Sequence, residues 1–269
     1  MIGTFDTEVD GKRVHVRTAG EAGAGGTPPV VFVHCAGTDG SVWDSQVEGV
    51  TTGGLRAMAV DLPGHGGSAG PALHSIDGLA AWTARFLDAV DAPRAHLVGH
   101  SMGALVVLDL AAFHPGRVAS LALLGVAATM AVNPDLLAGA ERNDGHTLEQ
   151  FSQWMHAREP DGPTGWGPAE TLALLERAEP GVVFGDLAAC DNHGDATAAT
   201  GDVEAPTLLV LGGQDVMTRP HGVAPLAETL RDSRTVVIHG AGHMMMVEKP
   251  HDVNDALLGF IAGRAAPHG

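Results

Sequence analysis

The chain has 269 residues, of which 45% are hydrophobic and 17% charged. That composition fits one large α/β domain with a sizeable core and leaves little material for disordered tails. The formal charge of −17 argues against nucleic acid and anionic membrane surfaces as partners, since both want basic patches.

Two cysteines, Cys35 and Cys190, make no disulfide framework. The opening residues MIGTFDTEVDGKRVHVR carry charges throughout, with no apolar stretch of the signal-peptide kind. The longest apolar run, ALVVLDLAAF, is interrupted by Asp109, so no membrane span is expected. A cytoplasmic protein is the expectation.

KRVHVRTAG alternates as an early strand does. EAGAGGTPP is a Gly/Pro turn, and PVVFVH is a continuous apolar run of the kind buried on both faces of a sheet. SVWDSQVEGV reads as a helix capped by Asp39 or Ser41. LRAMAVD is another buried strand, followed by the loop LPGHGGS. SIDGLAAWTARFLDAVDA has helical spacing at Leu79, Trp82, Phe86 and Leu87. AHLVGH is a short strand, MGALVVLDLAAFHP an apolar helix stopped before Pro115, and VASLALLGV a strand again. This alternation from residue 30 to 126 predicts an α/β fold: a mostly parallel sheet with helices on both faces.

The pattern lapses over residues 127–200 into helical pieces broken by Pro134, Gly145, Pro160, Gly162, Pro163 and Pro168. It resumes with APTLLVLGGQD, GVAPLAETLRDS, RTVVIHGAGH and HDVNDALLGFIAG. An irregular helical insert after the sixth strand reads as a lid over the strand ends; plain surface packing is the alternative. The expected division is a core of 1–126 and 201–269 with a lid of 127–200.

The strongest chemical signal is Gly99-His100-Ser101-Met102-Gly103, a G-x-S-x-G match between an apolar strand and an apolar helix. A serine on such a turn stands at the carboxyl end of the sheet, where α/β folds bind ligands. A serine hydroxyl also needs a base and a group that orients the base. Asp215 follows the strand TLLVLGGQD, and His243 lies in a Gly-rich loop after RTVVIHGAGH, so both can converge on Ser101. His243 then takes the proton and Asp215 fixes its tautomer. His239, inside its strand, and His100 and His114 read as packing or surface residues. The backbone N–H of Met102, at a helix N-terminus, is one donor for a developing oxyanion. A second comes from the loop after VVFVH.

VHCAG, DLPGHGGS, GHSMG, LGGQD and GAGH match, in order, the landmarks of α/β-hydrolase fold serine hydrolases, which the chain resembles over roughly residues 12–263. The resemblance implies a lid over an acyl pocket, with Ser101, Asp215 and His243 as the triad. It also implies the N–H of Ala36 as the second oxyanion donor. Cys35 stands where the family usually has Gly, a departure that bears on the local backbone. Relatives that open epoxides use an aspartate where Ser101 stands, and the hydroxynitrile lyases employ a lysine that Lys12 and Lys249 do not supply.

The expected pocket wall is Cys35, Met102, Met130, Phe151, Trp154, Trp166, Phe184, Met217 and Met244, with ordinary core packing as the alternative for the methionines. No cationic cluster in the sequence suggests a phosphate or coenzyme A tail. The expected substrate is therefore an uncharged ester, lactone or thioester with a modest apolar acyl group, cleaved through an acyl-enzyme without metal or cofactor. Cleavage of a C–C bond in a diketone, a cofactor-free haloperoxidase-like activity and a non-catalytic receptor are the alternatives. Cys35 reads as a packed residue, since no second base pairs with it.

Overall fold

A hairpin opens the chain. Strand β1 (Gly3–Val9) runs antiparallel to β2 (Lys12–Ala19). Asp10 and Gly11 turn the corner with φ of 53° and 71°, the two left-handed residues that a tight primed hairpin turn needs. Sequence analysis finds only β2, because β1 is polar and largely exposed and just Phe5 and Val9 mark its inner face.

Residues 1–21, 27–158 and 166–265 are described in this computed structural model. Most of the expected Gly/Pro turn, together with Pro160, Gly162 and Pro163, lies outside them.

Six further strands complete one sheet: β3 (Val30–Val33), β4 (Ala57–Val60), β5 (Ala95–His100), β6 (Val118–Leu124), β7 (Thr207–Gly212) and β8 (Ser233–Ile238). Their spatial order is β1-β2-β4-β3-β5-β6-β7-β8, and all pairs from β4 to β8 are parallel. Val30–Val33 and Ala57–Val60 are buried at every position, as continuous apolar strands covered on both faces must be. His239 sits just past the end of β8 rather than within it.

The helices of the core follow the strands. The expected first helix is subdivided: a 3-10 turn at Gly40–Trp43 capped by Asp39, then α1 (Asp44–Gly49), then a second 3-10 turn at Val50–Gly53. Helix α2 (Ile76–Ala89) is capped by Ser75 and buries Leu79, Trp82, Phe86 and Leu87. Helix α3 (Met102–Phe113) is apolar all round and almost wholly buried.

Among the described residues five helices intervene between β6 and β7: α4 (Pro134–Glu141), α5 (Gly145–Trp154), α6 (Pro168–Arg177), α7 (Val182–Asn192) and α8 (Thr197–Thr200). Helices α7 and α8 pack on α3, and α5 packs on α6. The chain closes with α9 (Ala224–Thr229), α10 (Met245–Glu248) and α11 (Pro250–Ala265). Among the described residues no helix is long and apolar enough to cross a membrane.

The strand order places the site. The chain passes from β3 outward to β4, then returns across β3 to β5. The carboxyl ends of β3 and β5 are therefore neighbours, with Val33 beside Gly99. Loops that leave a sheet at such a switch point diverge and open a crevice.

Candidate active site

Ser101 joins β5 to α3 with φ 55° and ψ −115°, a region that residues with a Cβ avoid at a cost of roughly 1–3 kcal/mol. The turn is over-determined. The Ser101 N–H donates to the Leu124 carbonyl (2.9 Å), and the Ser101 carbonyl accepts from Ala104 and Leu105. A Cβ on Gly99 would collide with the Gly103 carbonyl, and one on Gly103 with the Val33 carbonyl. The two glycines thus permit strand and helix to close around the serine. Ser101 is 7% exposed.

His243 follows β8 and is buried. Its Nδ1–H donates to Asp215 Oδ2 at 2.8 Å. The Asp215 carboxylate lies in the loop after β7 and accepts three further bonds: from the N–H groups of Met217 and Thr218 on Oδ1, and from the Thr218 hydroxyl (2.6 Å) on Oδ2. Burial pushes the Asp215 carboxyl up, but His243 and these bonds outweigh it and bring the group down to about 2. Asp215 is therefore a carboxylate, which fixes the proton of His243 on Nδ1. Nε2 is left as the lone-pair nitrogen, buried and without a hydrogen-bond partner among the described residues.

His100 supports this arrangement from below. Its Nε2–H donates to the His243 carbonyl (2.9 Å), and the two rings lie 4.5 Å apart. Burial, and then His243, holds its pKa well below the ordinary imidazole value, so His100 is a neutral prop. Gly125, at the end of β6 with φ 56°, leaves room beneath both rings: a Cβ there would stand 3.1 Å from each.

The loop after β3 is aimed by its carbonyl. The Cys35 oxygen accepts from His34 Nδ1–H (2.9 Å), the Thr38 hydroxyl (3.0 Å) and the Thr38 N–H (3.3 Å). In a trans peptide the next N–H points the opposite way, so the Ala36 N–H is directed away from those donors. His34 Nε2 accepts from Leu62 N–H (3.0 Å), and burial, then the nearby His65, lowers the His34 pKa to about 4. The Met102 N–H opens α3. Neither the Ala36 nor the Met102 N–H has a hydrogen-bond acceptor among the described residues.

Cys35 is 1% exposed, its thiol 3.4 Å from the Thr38 hydroxyl, and burial pushes its pKa up to about 12. The thiol is held in its protonated form.

One cavity of about 430 Å³ brings these parts together. Ser101, His243, Ala36 and Cys35 line it, as do Met130, Phe151, Trp154 and Met217 from the expected wall. The other four expected wall residues are placed elsewhere. The Met244 side chain is fully buried in the core while its N–H donates to the Met155 carbonyl. Met102 is likewise turned into the core at the start of α3. Trp166 directs its indole N–H to the Thr171 hydroxyl (3.2 Å), and Phe184 sits half-buried on α7 outside the cavity lining.

Leu136, Leu187, Cys190, Asn133, Gln153 and His156 also line the cavity and were not foreseen. Nor were two cations, Arg158 from within the 127–200 segment and Arg219 from the loop after β7, which line the same cavity. Only Thr218, three residues beyond Asp215, had a signal that sequence reading could have used: a hydroxyl within reach of the same carboxylate.

The sequence model of the alpha/beta hydrolase family matches residues 30–256. The chain belongs to the alpha/beta hydrolase family. It is 33% identical over 251 residues to the dihydrolipoyllysine-residue acetyltransferase component of the acetoin cleaving system of Pseudomonas putida, a match covering 90% of this chain and 65% of that protein. It is 33% identical over 199 residues to a pimeloyl-[acyl-carrier protein] methyl ester esterase of Neisseria meningitidis serogroup B (strain H44/76), covering 69% of this chain and 74% of the esterase. Among solved structures, a thermophilic esterase superposes with a TM-score of 0.84 at 26% identity, covering 98% of this chain and 99% of the other. This member of the alpha/beta hydrolase family therefore spans less than two thirds of the length of the first of these relatives.

Proposed function

We propose that this protein is a cofactor-independent serine hydrolase that cleaves a carboxylic ester, lactone or thioester with a modest apolar acyl group. The observation that carries the reading is His243, with Nδ1 bonded to a buried carboxylate and Nε2 unpartnered, in the wall of the same cavity as Ser101.

The steps follow from that geometry. His243 Nε2 takes the hydroxyl proton as Ser101 Oγ attacks the substrate carbonyl carbon. The Ala36 and Met102 N–H groups hold the resulting oxyanion. Collapse breaks the bond to the leaving alcohol or thiol, which receives the proton from His243. Water then attacks the acyl-enzyme, again giving its proton to Nε2. The acid departs and Ser101 regains its hydrogen. Asp215 stabilises the imidazolium at both stages. Residues 127–200 act as a lid over the core formed by 1–126 and 201–269. The methyl ester esterase named among the relatives supports an ester as the scissile group. Two unpaired, buried cysteines suit a reducing, cytoplasmic setting.

The test is hydrolysis of short-chain p-nitrophenyl esters by the wild type and by Ser101→Ala. Turnover that disappears in the variant, with unchanged folding, supports the reading. Undiminished turnover in Ser101→Ala overturns the nucleophile assignment.

A further inference from the structure

We propose that the ester hydrolysed here carries an anionic group a few carbons from its scissile bond, and that Arg158 and Arg219 at the cavity mouth recognise it. The inference rests on the hydrolase reading and adds the substrate's charge.

The cavity wall departs from the rest of the surface. The chain holds 32 acidic residues and a net charge of −17, yet among the described residues no Asp or Glu lines the Ser101 cavity. Each of the other three cavities described among these residues includes at least one: Asp77 and Asp109 in one, Asp39 and Glu179 in the second, Asp10 in the third. Among the described residues, the formal charges on the Ser101 wall are two guanidinium groups.

Those groups also meet no carboxylate among the described residues. Arg17, Arg85, Arg117 and Arg177 each meet a carboxylate within 3.1 Å. The Arg158 and Arg219 guanidinium groups have no ion pair or hydrogen bond among the described residues. A guanidinium presents a rigid fork of donors that fits carboxylate and phosphate alike. Asn133 on the same wall commits its side-chain oxygen to the Asp135 N–H, so its amide NH₂ remains a donor as well.

Depth orders the wall. Ser101 and Phe151 are buried, Trp154 is half-buried and both arginines are exposed. A ligand reaching from Ser101 outward thus meets donors, then apolar side chains, then positive charge. The matching ligand has a carbonyl, a short apolar spacer and an anion. In a protein this acidic, the arginines also offset a field that would otherwise repel such a ligand.

The experiment compares kcat/KM for matched pairs at low and high salt. On the acyl side, mono-p-nitrophenyl glutarate is set against its methyl-capped neutral diester. On the alcohol side, the butyrate ester of 3-hydroxypropyl phosphate is set against the neutral butyrate of 1,3-propanediol. We expect a preference of about tenfold for the anion in one pair, the size expected of two solvent-exposed charge contacts, shrinking as salt rises. The pair that shows it identifies the side that carries the charge. Arg158→Gln with Arg219→Gln should bring that ratio close to one. Equal kcat/KM within both pairs, or a ratio that survives the double variant, overturns the proposal and leaves the hydrolase reading intact. No turnover of any ester, with no labelling of Ser101 by a fluorophosphonate, overturns both.

Discussion

Glu248 is the residue whose removal tests the architecture of the site most severely. It is 5% exposed, five residues beyond His243, and its carboxylate holds three donors. Oε1 accepts from the Ala157 N–H (3.0 Å) and from His156 Nδ1–H (2.9 Å), and Oε2 accepts from the Gly242 N–H. Gly242 precedes the candidate base, whereas His156 and Ala157 follow α5 in the intervening helical segment. One carboxylate thus fastens the segment to the His243 loop. Glu248→Ala strands three buried N–H groups at once, at a cost of about 3–5 kcal/mol. For a domain of this size that lowers Tm by about 10 °C. Glu248→Gln keeps an acceptor for one donor but turns its NH₂ toward another, so an intermediate loss is expected. Circular-dichroism melting supplies the stability, and ester hydrolysis supplies kcat, which should fall in both variants as the His243 backbone loses an anchor. If Glu248→Ala melts within about 2 °C of the wild type, the carboxylate does not hold these elements together and the reasoning fails.

Four further outcomes follow from the same structure. Cys35→Ala should retain substantial activity, and iodoacetamide should leave wild-type turnover untouched; a loss comparable to Ser101→Ala would give the thiol a chemical role. Ser101→Gly and Ser101→Ala should both be inactive, with the glycine variant more stable by about 1 kcal/mol in urea unfolding because it relieves the positive φ. Thr218→Val removes the 2.6 Å bond to Asp215 and should cost about tenfold in kcat, with little change in KM. Asp215, lowered to about 2 from 3.8, contributes about 2 kcal/mol above its ordinary pKa, and this is lost as pH falls through about 2. The stability gap between wild type and Asp215→Asn should therefore narrow during acid titration; a gap constant down to pH 2 contradicts the assignment.

The candidate triad was legible because each member sits at the end of a strand that announces itself. Runs such as VFVH, HLVGH and LLVLGG are too apolar to be anything but buried strands, and the glycines after them mark turns. β1 escaped notice because a half-exposed hairpin strand needs only a few apolar residues. Met244 misled for a related reason: proximity to His243 in sequence says nothing about direction, and the start of α10 turns its side chain inward. Arg158 and Arg219 were illegible as a pair because only the fold brings them, 61 positions apart in sequence, to one cavity. Asp109 looked anomalous inside an apolar helix, and the structure resolves it: His193 Nε2 bonds it at 3.1 Å.

That last contact belongs to a set. His193 with Asp109, His156 with Glu248, and His65 with Asp186 are three histidine–carboxylate pairs, and each joins residues 127–200 to the core. The Thr171 hydroxyl accepts from the Trp166 indole N–H and lies 2.8 Å from His156 Nε2. His65 faces two acceptors, the Pro63 carbonyl (3.1 Å) and Asp186 (2.8 Å), and therefore carries both protons. Burial alone would lower the His65 pKa, but Asp186 reverses the sign and raises it. Its stabilisation is complete below the ordinary imidazole pKa and is lost as pH rises through the raised value. Asp186 also accepts the Gly37 N–H at 2.8 Å, next to Ala36. A buried ion pair adds little net stability over an apolar packing of the same volume, but breaking it on one side is costly. What these pairs contribute is registry: α7 is fixed to the Ala36 loop and α5 to the His243 loop. Segment and site thus hold one relative position.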